Sequence, residues 1–480
     1  MKKIKLALHW QIIIALGLAV IFGILFPTKY QLNNEEFLRL KKNSSDIGLS
    51  VYQLHHIETL TYNKPVSESV FFEQLGKIAE EPLSKTQKNL ITDKSEYNPE
   101  LNYVSWMGDI FIRALKMIII PLILASIISG VANIGSAKNL GRLGLKTMLY
   151  YLSTSTFAII TGLLLVNLIK PGLSINPDTF RLKESFNIDK HSLGDTLIEI
   201  VPDNIFQAFV NQDMLSIIFF SMLFGFFITR VEPKYSQLLG NFFNSFFEVM
   251  MKITLFIIRF TPLGIFGLVA TIVAEQAGDP ARLYQIAEGL GLYSLTVLLA
   301  LTIHSVIILP IYLKIIGKSK PYAHFRAMRN ALLTAFSTSS SGATLSLTMD
   351  SVKNKSGVSN KISGFTLPLG ATINMDGTAL YECVAVIFIA QAYGFDLSIA
   401  EQVIIVITAL LASIGAAAIP MAGLIMISII LAAVDLPLAG IGLILSVDRI
   451  LDMFRTSVNV WSDSCGAVII AKSEGEKLNV

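Results

Sequence analysis

The first two thirds of the chain alternate long apolar segments with polar connections. Apolar runs of this length are typical of membrane helices. The predicted membrane helices and broken helical segments lie at about 12–26, 106–134, 148–169, 205–230, 238–275 and 290–316. The run at 12–26 follows lysines and has no small-residue cleavage site after it, so we interpret it as a first membrane helix and not as a signal peptide.

The last third has a different pattern, because its apolar segments carry polar or small residues at their centres. Interrupted segments at 321–352 and 400–432 are each followed by a polar helix, at 357–393 and 437–472. Two corresponding halves with broken segments are typical of inverted-repeat transporters, whose binding site lies where the breaks meet. We therefore predict an all-α polytopic membrane protein with two re-entrant helical hairpins whose tips are buried in protein.

Composition agrees with this class. The 480 residues are 53% hydrophobic and 15% charged, with a mean hydropathy of +0.61, whereas soluble domains are about one quarter charged. The net charge of +3 gives no argument for nucleic-acid binding. Basic clusters follow the runs at 106–134 and 290–316 on one side, which predicts cytoplasmic termini and an extracytoplasmic polar insertion at 29–102.

The first candidate site is the stretch 370–382, GATINMDGTALYE, at the middle of a membrane helix. A carboxylate at that depth costs about 3 kcal/mol on insertion scales, so Asp376 and Glu382 are expected to face a cavity or a partner. Asn374 and Gly377 flank the aspartate and predict a helix break that frees backbone carbonyls. The alternative is a kinked structural helix with an internally satisfied aspartate.

The second candidate site is a polar stripe on the last helix, within about 100° of one face. Its members are Asp448, Asp452, Arg455, Thr456, Asn459 and Asp463. Arg455 is able to hold a carboxylate with two parallel hydrogen bonds, while Asp452 accepts from an ammonium group. The pair therefore matches an amino acid. The alternative is an internal Asp452–Arg455 salt bridge, which leaves Asp376 and Asp463 with no evident basic partner.

Charge counting indicates coupled cations. The two polar helices carry five acids against two arginines, an excess of about three negative charges at membrane depth. The acids are Asp376, Glu382, Asp448, Asp452 and Asp463, and the arginines are Arg449 and Arg455. Carboxylate, carbonyl and hydroxyl oxygens favour Na⁺-like ions over soft transition metals. An acidic substrate then has to travel with cations, which predicts symport.

Four motifs in order resemble those of the glutamate transporter family, the dicarboxylate/amino acid:cation symporters. They are Ser339-Ser340-Ser341, Asn374-Met375-Asp376-Gly377-Thr378, the hairpin tip at 413–423, and Asp452-Met453-Phe454-Arg455-Thr456 with Asn459. The resemblance implies eight transmembrane helices plus the two hairpins, and an elevator-type homotrimer in the membrane lipid. It implies a first helix at 1–28, the insertion at 29–102, mainly scaffold at 103–275 (except helix three at 148–169), and a transport-domain core at 284–472.

The resemblance also implies roles for individual residues. Substrate binding falls to Ser340, Ser341, Met375, Thr378, Ile419, Gly423, Asp452, Arg455, Thr456 and Asn459. Three Na⁺ sites are implied. The first uses Gly370, Asn374, Asn459 and Asp463; the second uses Thr372, Ser413, Ile414 and Ala416; the third uses Tyr151, Thr154, Ser155, Asn374 and Asp376. Glu382 matches a position associated with H⁺ and K⁺ coupling in the animal members.

The chain departs from the family at several positions. It lacks the second arginine that relatives place at Ser339 or Met453, and Trp461-Ser462 replaces a smaller pair before Asp463. We expect a Na⁺-coupled carrier of aspartate or glutamate. The alternatives are an H⁺-coupled carrier of C4-dicarboxylates or neutral amino acids, and a channel. An intramembrane protease is disfavoured, because the serines at 339–341 have no nearby histidine in the sequence.

Overall fold

The computed structural model describes residues 8–30, 42, 96–135, 141–177, 198, 200–277, 280–415 and 422–480. Within these residues the chain is helical, apart from one pair of two-residue strands. Five of the described helices are long and apolar enough to cross a membrane by length and composition: Ser105–Ala132, Arg142–Ser174, Pro233–Ile258, Pro280–Ile315 and Asn360–Ala392. The predicted all-helical character is confirmed.

The helices of the first part of the chain are α1 (Leu8–Leu25), α2 (Ser105–Gly135), α3 (Gly141–Ile169), α4 (Ile205–Asn211), α5 (Met214–Ile228), α6 (Pro233–Ile258), α7 (Thr261–Gln276), α8 (Pro280–Ile303) and α9 (Leu309–Ile315). A π-helical turn, His304–Ile308, joins α8 to α9. The helices of the last third are α10 (Pro321–Thr338), α11 (Ser341–Asp350), α12 (Asn360–Ile373), α13 (Asp376–Ala392), α14 (Ile399–Gly415), α15 (Ala422–Ala433) and α16 (Ile441–Ser473).

The chain divides into two compact units. The first takes in the described residues of Met1–Ile112, Ile175–Ser185 and Phe260–Ala287. In it α1 packs along α7. The strands Lys29–Tyr30 and Glu96–Tyr97 pair antiparallel, which brings the two ends of the predicted insertion together. Between those strands only residue 42 is described, so the prediction for the insertion falls almost entirely outside the described residues.

The second unit takes in the described residues of Arg113–Ser174, Phe186–Arg259 and Glu288–Val480, and it contains the candidate site. Helix α16 lies at its centre and contacts α10, α12 and α13. Helix α13 packs against α3 and is buried over nearly its whole length. A membrane helix that is apolar on all faces and buried has its polar residues directed at other protein groups, which places Asp376 and Glu382 in the interior.

The last residues of the chain fasten α16 to neighbouring elements of the second unit. Glu474 accepts hydrogen bonds from Lys146 Nζ (2.6 Å) and Arg142 Nη2 (2.5 Å) at the start of α3. Glu476 Oε2 accepts from the backbone N–H of Ser359, which caps α12. The end of α16 is therefore fixed to both α3 and α12 by charged hydrogen bonds.

The start of α3 differs from the sequence prediction. Helix α3 begins at Gly141 and not near 148, so Arg142 and Lys146 belong to the helix. The segment at 205–230, predicted as broken, is two helices, because Gln212 adopts a left-handed conformation (φ 64°) between α4 and α5. The long helix predicted at 290–316 lies within the apolar span Pro280–Ile315, which contains a π-helical turn before Pro310. The predicted break at Asn374 and Met375, between α12 and α13, is confirmed.

Candidate functional site

The break between α12 and α13 presents the amino-terminal end of α13 to the polar stripe of α16. Asn459 Oδ1 accepts from the backbone N–H of Gly377 (2.8 Å) and of Thr378 (3.3 Å). Asn459 Nδ2 donates to Thr378 Oγ1 at 2.9 Å. Met375 is buried at the break. A side-chain amide thus satisfies the first N–H groups of the helix, and it brings the predicted residues Thr378 and Asn459 into direct contact.

Arg455 is the centre of the second cluster and is 2% exposed. Its Nε donates to Asp452 Oδ1 at 2.8 Å, and its Nη1 lies 3.6 Å from Asp448 Oδ1. The ring of Tyr381 lies 4.5 Å from its Cζ, at cation–π distance. Thr456 Oγ1 donates to the same Asp452 oxygen at 3.3 Å. The internal Asp452–Arg455 pair considered from the sequence is therefore present.

One edge of the Arg455 guanidinium is open. Its Nη1 makes no hydrogen bond with any residue that the structure describes. A Cβ atom placed on Gly423, at the start of α15, would collide with this same Nη1 and lie 2.8 Å from Cζ. Only glycine lets the hairpin approach so closely. Asp448 Oδ1, at 3.6 Å, is too far for a hydrogen bond, so this buried charged donor is ready to bind an anionic group.

The structure describes the tip of the first hairpin but not the tip of the second. In the first hairpin Ser339 ends α10 in a left-handed conformation (φ 50°), and Ser340 Oγ caps α11 by accepting from Ala343 N at 3.2 Å. Ser341 is buried at the first position of α11. The tip of the second hairpin, 416–421, lies outside the described residues, so the predictions for Ala416 and Ile419 do too.

The second predicted Na⁺ site is only partly described. Thr372 Oγ1 donates to Leu369 O and Ser413 Oγ to Leu410 O, each within its own helix. Ile414 lies in α14. Helices α12 and α14 pack against each other.

Asp376 joins a buried polar network of α3, α16 and His304. Its Oδ1 accepts from Ser155 Oγ (2.6 Å) and Thr154 Oγ1 (3.3 Å) of α3. Its Oδ2 accepts from Ser462 Oγ (2.6 Å) and lies 3.0 Å from His304 Nε2. The expectation that Asp376 has no basic partner is therefore wrong. His304 was missed because it is distant in sequence and its apolar helix gives no ligand spacing.

Asp463 belongs to the same hydrogen-bond network, to which it is linked through Asn374. Asn374 Nδ2 donates to Asp463 Oδ1 at 2.9 Å, and Asn374 Oδ1 lies 3.4 Å from Thr154 Oγ1. A Cβ on Gly370 would lie 2.5 Å from Asp463 Oδ1 and 2.7 Å from the Tyr151 hydroxyl. Gly370 is therefore needed to let α12 approach both oxygens. The Tyr151 hydroxyl donates to Thr366 O at 2.7 Å.

The donor set fits a hard monovalent cation. Carboxylate, amide, hydroxyl and backbone oxygens meet around Asp376 and Asp463, and such ligands suit Na⁺. No group of three or more His, Cys, Asp or Glu side chains able to hold a metal ion occurs among the described residues. The predicted residues Thr154, Ser155, Asn374 and Asp376 are brought together, whereas the Asn459 amide is used at the start of α13.

Glu382 is fully buried on α13, and neither of its carboxyl oxygens makes a hydrogen bond within the described ranges. Its neighbour Tyr381 donates to Asp448 Oδ1 at 2.6 Å. A carboxyl group held without a partner in the interior is costly in its charged form. Tyr381 and Ser462 were missed from the sequence, although each is adjacent to a residue that was identified.

Comparisons with known proteins identify the family of the chain. A model of the sodium:dicarboxylate symporter family matches residues 8–473. Excitatory amino acid transporter 3 of Mus musculus is 38% identical over 428 residues, covering 78% of this chain and 80% of that protein. The proton/sodium-glutamate symport protein of Geobacillus stearothermophilus is 34% identical over 394 residues, with 79% and 90% covered. The proton/glutamate-aspartate symporter of Escherichia coli strain K12 is 34% identical over 383 residues, with 78% and 86% covered.

Proposed function

Because this chain belongs to the sodium:dicarboxylate symporter family, we propose that it carries acidic amino acids, aspartate or glutamate, across a membrane in symport with Na⁺. Membership of the family makes it a multi-pass membrane transporter and not an enzyme. The names of its relatives support glutamate and aspartate as substrates and both Na⁺ and H⁺ as coupled ions. The observation that carries the proposal is the open Nη1 edge of buried Arg455 beside Asp452.

The substrate would bind between hairpin one, the break before α13, and α16. Arg455 holds the side-chain carboxylate through its open N–H groups, and Asp452 holds the amino group. Thr378, Thr456 and Asn459 supply neighbouring hydroxyl and amide groups. The amino-terminal end of α11, at Ser340 and Ser341, favours the main-chain carboxylate because of the helix dipole. The second hairpin, with Gly423 against the guanidinium and Ile419 at the tip, closes over the substrate.

Coupling to cations follows from charge. The two polar helices hold five carboxyl groups against two arginines, and a bound acidic amino acid adds a further negative charge. We assign one Na⁺ to the oxygens around Asp376, a second to those around Asp463, and a third to Thr372, Ser413, Ile414 and Ala416. Because each ion and the substrate bind the same transport-competent state, each raises the affinity for the other.

The buried, unpartnered carboxyl of Glu382 supports H⁺ coupling in addition, with K⁺ as a returning ion. The proposal also includes a homotrimer in which the last third, with α3, moves as an elevator relative to scaffold helices, and in which both termini face the cytoplasm. The proposal further includes eight membrane-spanning helices. Five of the described helices are long and apolar enough to cross a membrane on their own.

Uptake into proteoliposomes tests the proposal. Labelled aspartate, glutamate, serine and succinate are offered in turn, while Na⁺, H⁺ and K⁺ gradients are varied separately. We expect Na⁺-driven accumulation of aspartate or glutamate against a gradient. Accumulation of succinate or serine on an H⁺ gradient alone would establish the alternative carrier, and equilibration without accumulation would indicate a channel.

A further inference from the structure

The π-helical turn His304–Ile308 leaves one backbone carbonyl without a backbone donor. The N–H of Leu309 donates to His304 O across the wide turn, so it is not available to Ser305 O. The next residue, Pro310, has no N–H. The carbonyl of Ser305 instead accepts a 3.1 Å hydrogen bond from Trp461 Nε1 on α16. An indole side chain thus replaces the missing backbone donor.

Trp461 is itself held in place. Its ring stacks on His324, with centroids 5.1 Å apart at 26°, and meets Phe325 edge to face at 5.6 Å. It is only 4% exposed. The fixed indole therefore stabilises the wide turn at Ser305. Because a π-helical turn shifts the helix by one residue, it determines the direction in which the adjacent His304 points. That direction is toward Asp376 Oδ2, 3.0 Å away.

Ser462, the next residue on α16, acts on the same carboxylate directly. Its hydroxyl donates to Asp376 Oδ2 at 2.6 Å and accepts from Asn374 Nδ2 at 3.0 Å. Asn374 Oδ1 and Asp376 Oδ1 then both face the α3 hydroxyl of Thr154, at 3.4 and 3.3 Å. Oδ2 of Asp376 is thus held by His304 and Ser462, whereas Oδ1, which accepts from Ser155 and Thr154 of α3, belongs to the oxygen cluster that suits a cation.

We propose that Trp461, through the π-helical turn and His304, and Ser462, by its direct hydrogen bond, position the Asp376 carboxylate for a coupled cation and thereby set its affinity for Na⁺. These are the two positions at which this chain departs from the smaller pair of the family it resembles. The inference rests on the proposed function, because it takes Asp376 as a Na⁺ ligand. Trp461, Ser462 and His304 are positioning residues that do not bind the ion themselves.

The test measures Na⁺ binding without transport. The purified protein is titrated with NaCl in detergent, at constant ionic strength with choline chloride and without amino acid, and the Na⁺ concentration for half-maximal thermal stabilisation is recorded. Ser462→Ala removes one hydroxyl, and Trp461→Phe keeps an aromatic ring but removes the indole N–H. Because each variant loses hydrogen bonding that orients the Asp376 carboxylate, directly in Ser462→Ala and through His304 in Trp461→Phe, we expect the half-maximal Na⁺ concentration to rise roughly five- to tenfold.

The His304 variants separate positioning from packing. Gln places its amide nitrogen near the position of Nε2, whereas Asn places it one bond short, near Nδ1. We expect His304→Asn to raise the half-maximal Na⁺ concentration about tenfold and His304→Gln to stay within about threefold of the wild type. The control is Trp106→Phe, which also loses an indole hydrogen bond, to Tyr103 O at 2.8 Å, at an exposed residue far along the chain from the site. It should leave the Na⁺ titration unchanged.

Equal half-maximal Na⁺ concentrations in the wild type, Ser462→Ala and Trp461→Phe would overturn the inference while leaving the proposed function intact. A wild-type protein that is not stabilised by Na⁺ would overturn the proposed function itself. Unfolding temperatures in choline alone identify any variant that fails to fold. In that case Ser462→Ala, the smallest change, decides the question alone.

Discussion

The ring of Tyr381 lies 4.5 Å from the guanidinium carbon of Arg455. The hydroxyl of the same side chain donates a 2.6 Å hydrogen bond to Asp448 Oδ1, which itself lies 3.6 Å from Arg455 Nη1. The ring face of Tyr381 therefore contacts the Arg455 guanidinium, and its hydroxyl contacts Asp448, a carboxylate that makes no hydrogen bond with Arg455. Because the Tyr381 hydroxyl holds the Asp448 carboxylate in this position, Arg455 Nη1 stays open for a substrate carboxylate.

Tyr381→Phe should lower the affinity for aspartate by about tenfold. The variant keeps the ring over Arg455, but it leaves Asp448 without this donor, so the carboxylate moves toward Nη1 and competes with the substrate. Isothermal titration of the purified variant with aspartate measures the change. Tyr312→Phe is the control, because Tyr312 is a tyrosine of the same unit whose ring packs against Tyr150 and Phe157. Equal losses in both variants would contradict the assigned role.

Asp376→Asn should weaken Na⁺ dependence and substrate binding together. The substitution removes the charge that faces Thr154 and Ser155, and linkage between ion and substrate transmits the loss. We expect the Na⁺ concentration for half-maximal uptake to rise roughly tenfold or more. Asp350→Asn, at the exposed end of α11, is the control. Wild-type uptake that continues unchanged with choline in place of Na⁺ would refute the assignment.

The sequence predicted those parts of the site that lie on one helix. Helical periodicity placed Asp452, Arg455 and Asn459 on one face of α16, because a single helix fixes the directions of its own side chains. It did not predict the contact between His304 and Asp376. That contact depends on how two helices pack and on an extra residue in a π-helical turn, and neither has a signature in the spacing of residues.

Glu474→Gln should lower the thermal stability of the protein near neutral pH. Hydrogen bonds from Lys146 and Arg142 hold the pKa of Glu474 below its usual range. A lowered pKa means that the ion pairs of Glu474 stabilise the fold at pH values above the ordinary carboxyl pKa. This stabilisation is lost as the pH falls through the lowered pKa of Glu474. We expect a decrease in Tm of at most about 2 °C at pH 7, since the pair is at the surface.

The difference in Tm between Glu474→Gln and the wild type should shrink as the pH is lowered. Thermal scans in detergent at several pH values measure it. High salt should reduce the difference as well, because surface ion pairs are screened. A difference that stays constant from neutral to acidic pH would show that the charge of Glu474 does not cause it.

Glu382→Gln should make transport insensitive to a pH gradient and abolish any stimulation by K⁺. The wild-type carboxyl is buried without a hydrogen-bonding partner among the described residues, and a group in this position is able to take up and release a proton during transport. Uptake under separate H⁺ and K⁺ gradients measures both effects. The control is Glu401→Gln, also buried but bonded to the N–H of Ser398 at 2.6 Å. Retained responses to both gradients in Glu382→Gln would favour a structural role.

Arg455→Cys should change the class of substrate. Arg455 is buried, and its open Nη1 is the donor available to a side-chain carboxylate, because the chain has Ser339 and Met453 where relatives place a second arginine. Removing one partner of a buried charged pair costs several kcal/mol, so affinity for aspartate and glutamate should fall about 100-fold or more. Asp452 remains to hold an amino group. We therefore expect weak, Na⁺-dependent binding of serine, alanine or cysteine to appear.

Binding assays with acidic and neutral amino acids on the purified Arg455→Cys protein test this exchange. Arg449→Cys is the matched control, because Arg449 lies on the same helix and also contacts Asp452, at 3.4 Å, but it is partly exposed. It should lose much less affinity for aspartate than Arg455→Cys, since Arg449 contacts Asp452 only at a long distance for a hydrogen bond, 3.4 Å. Tight aspartate binding by Arg455→Cys would mean that the substrate carboxylate is held elsewhere. A comparable loss in both variants would instead assign the effect to Asp452, whose orientation both arginines support.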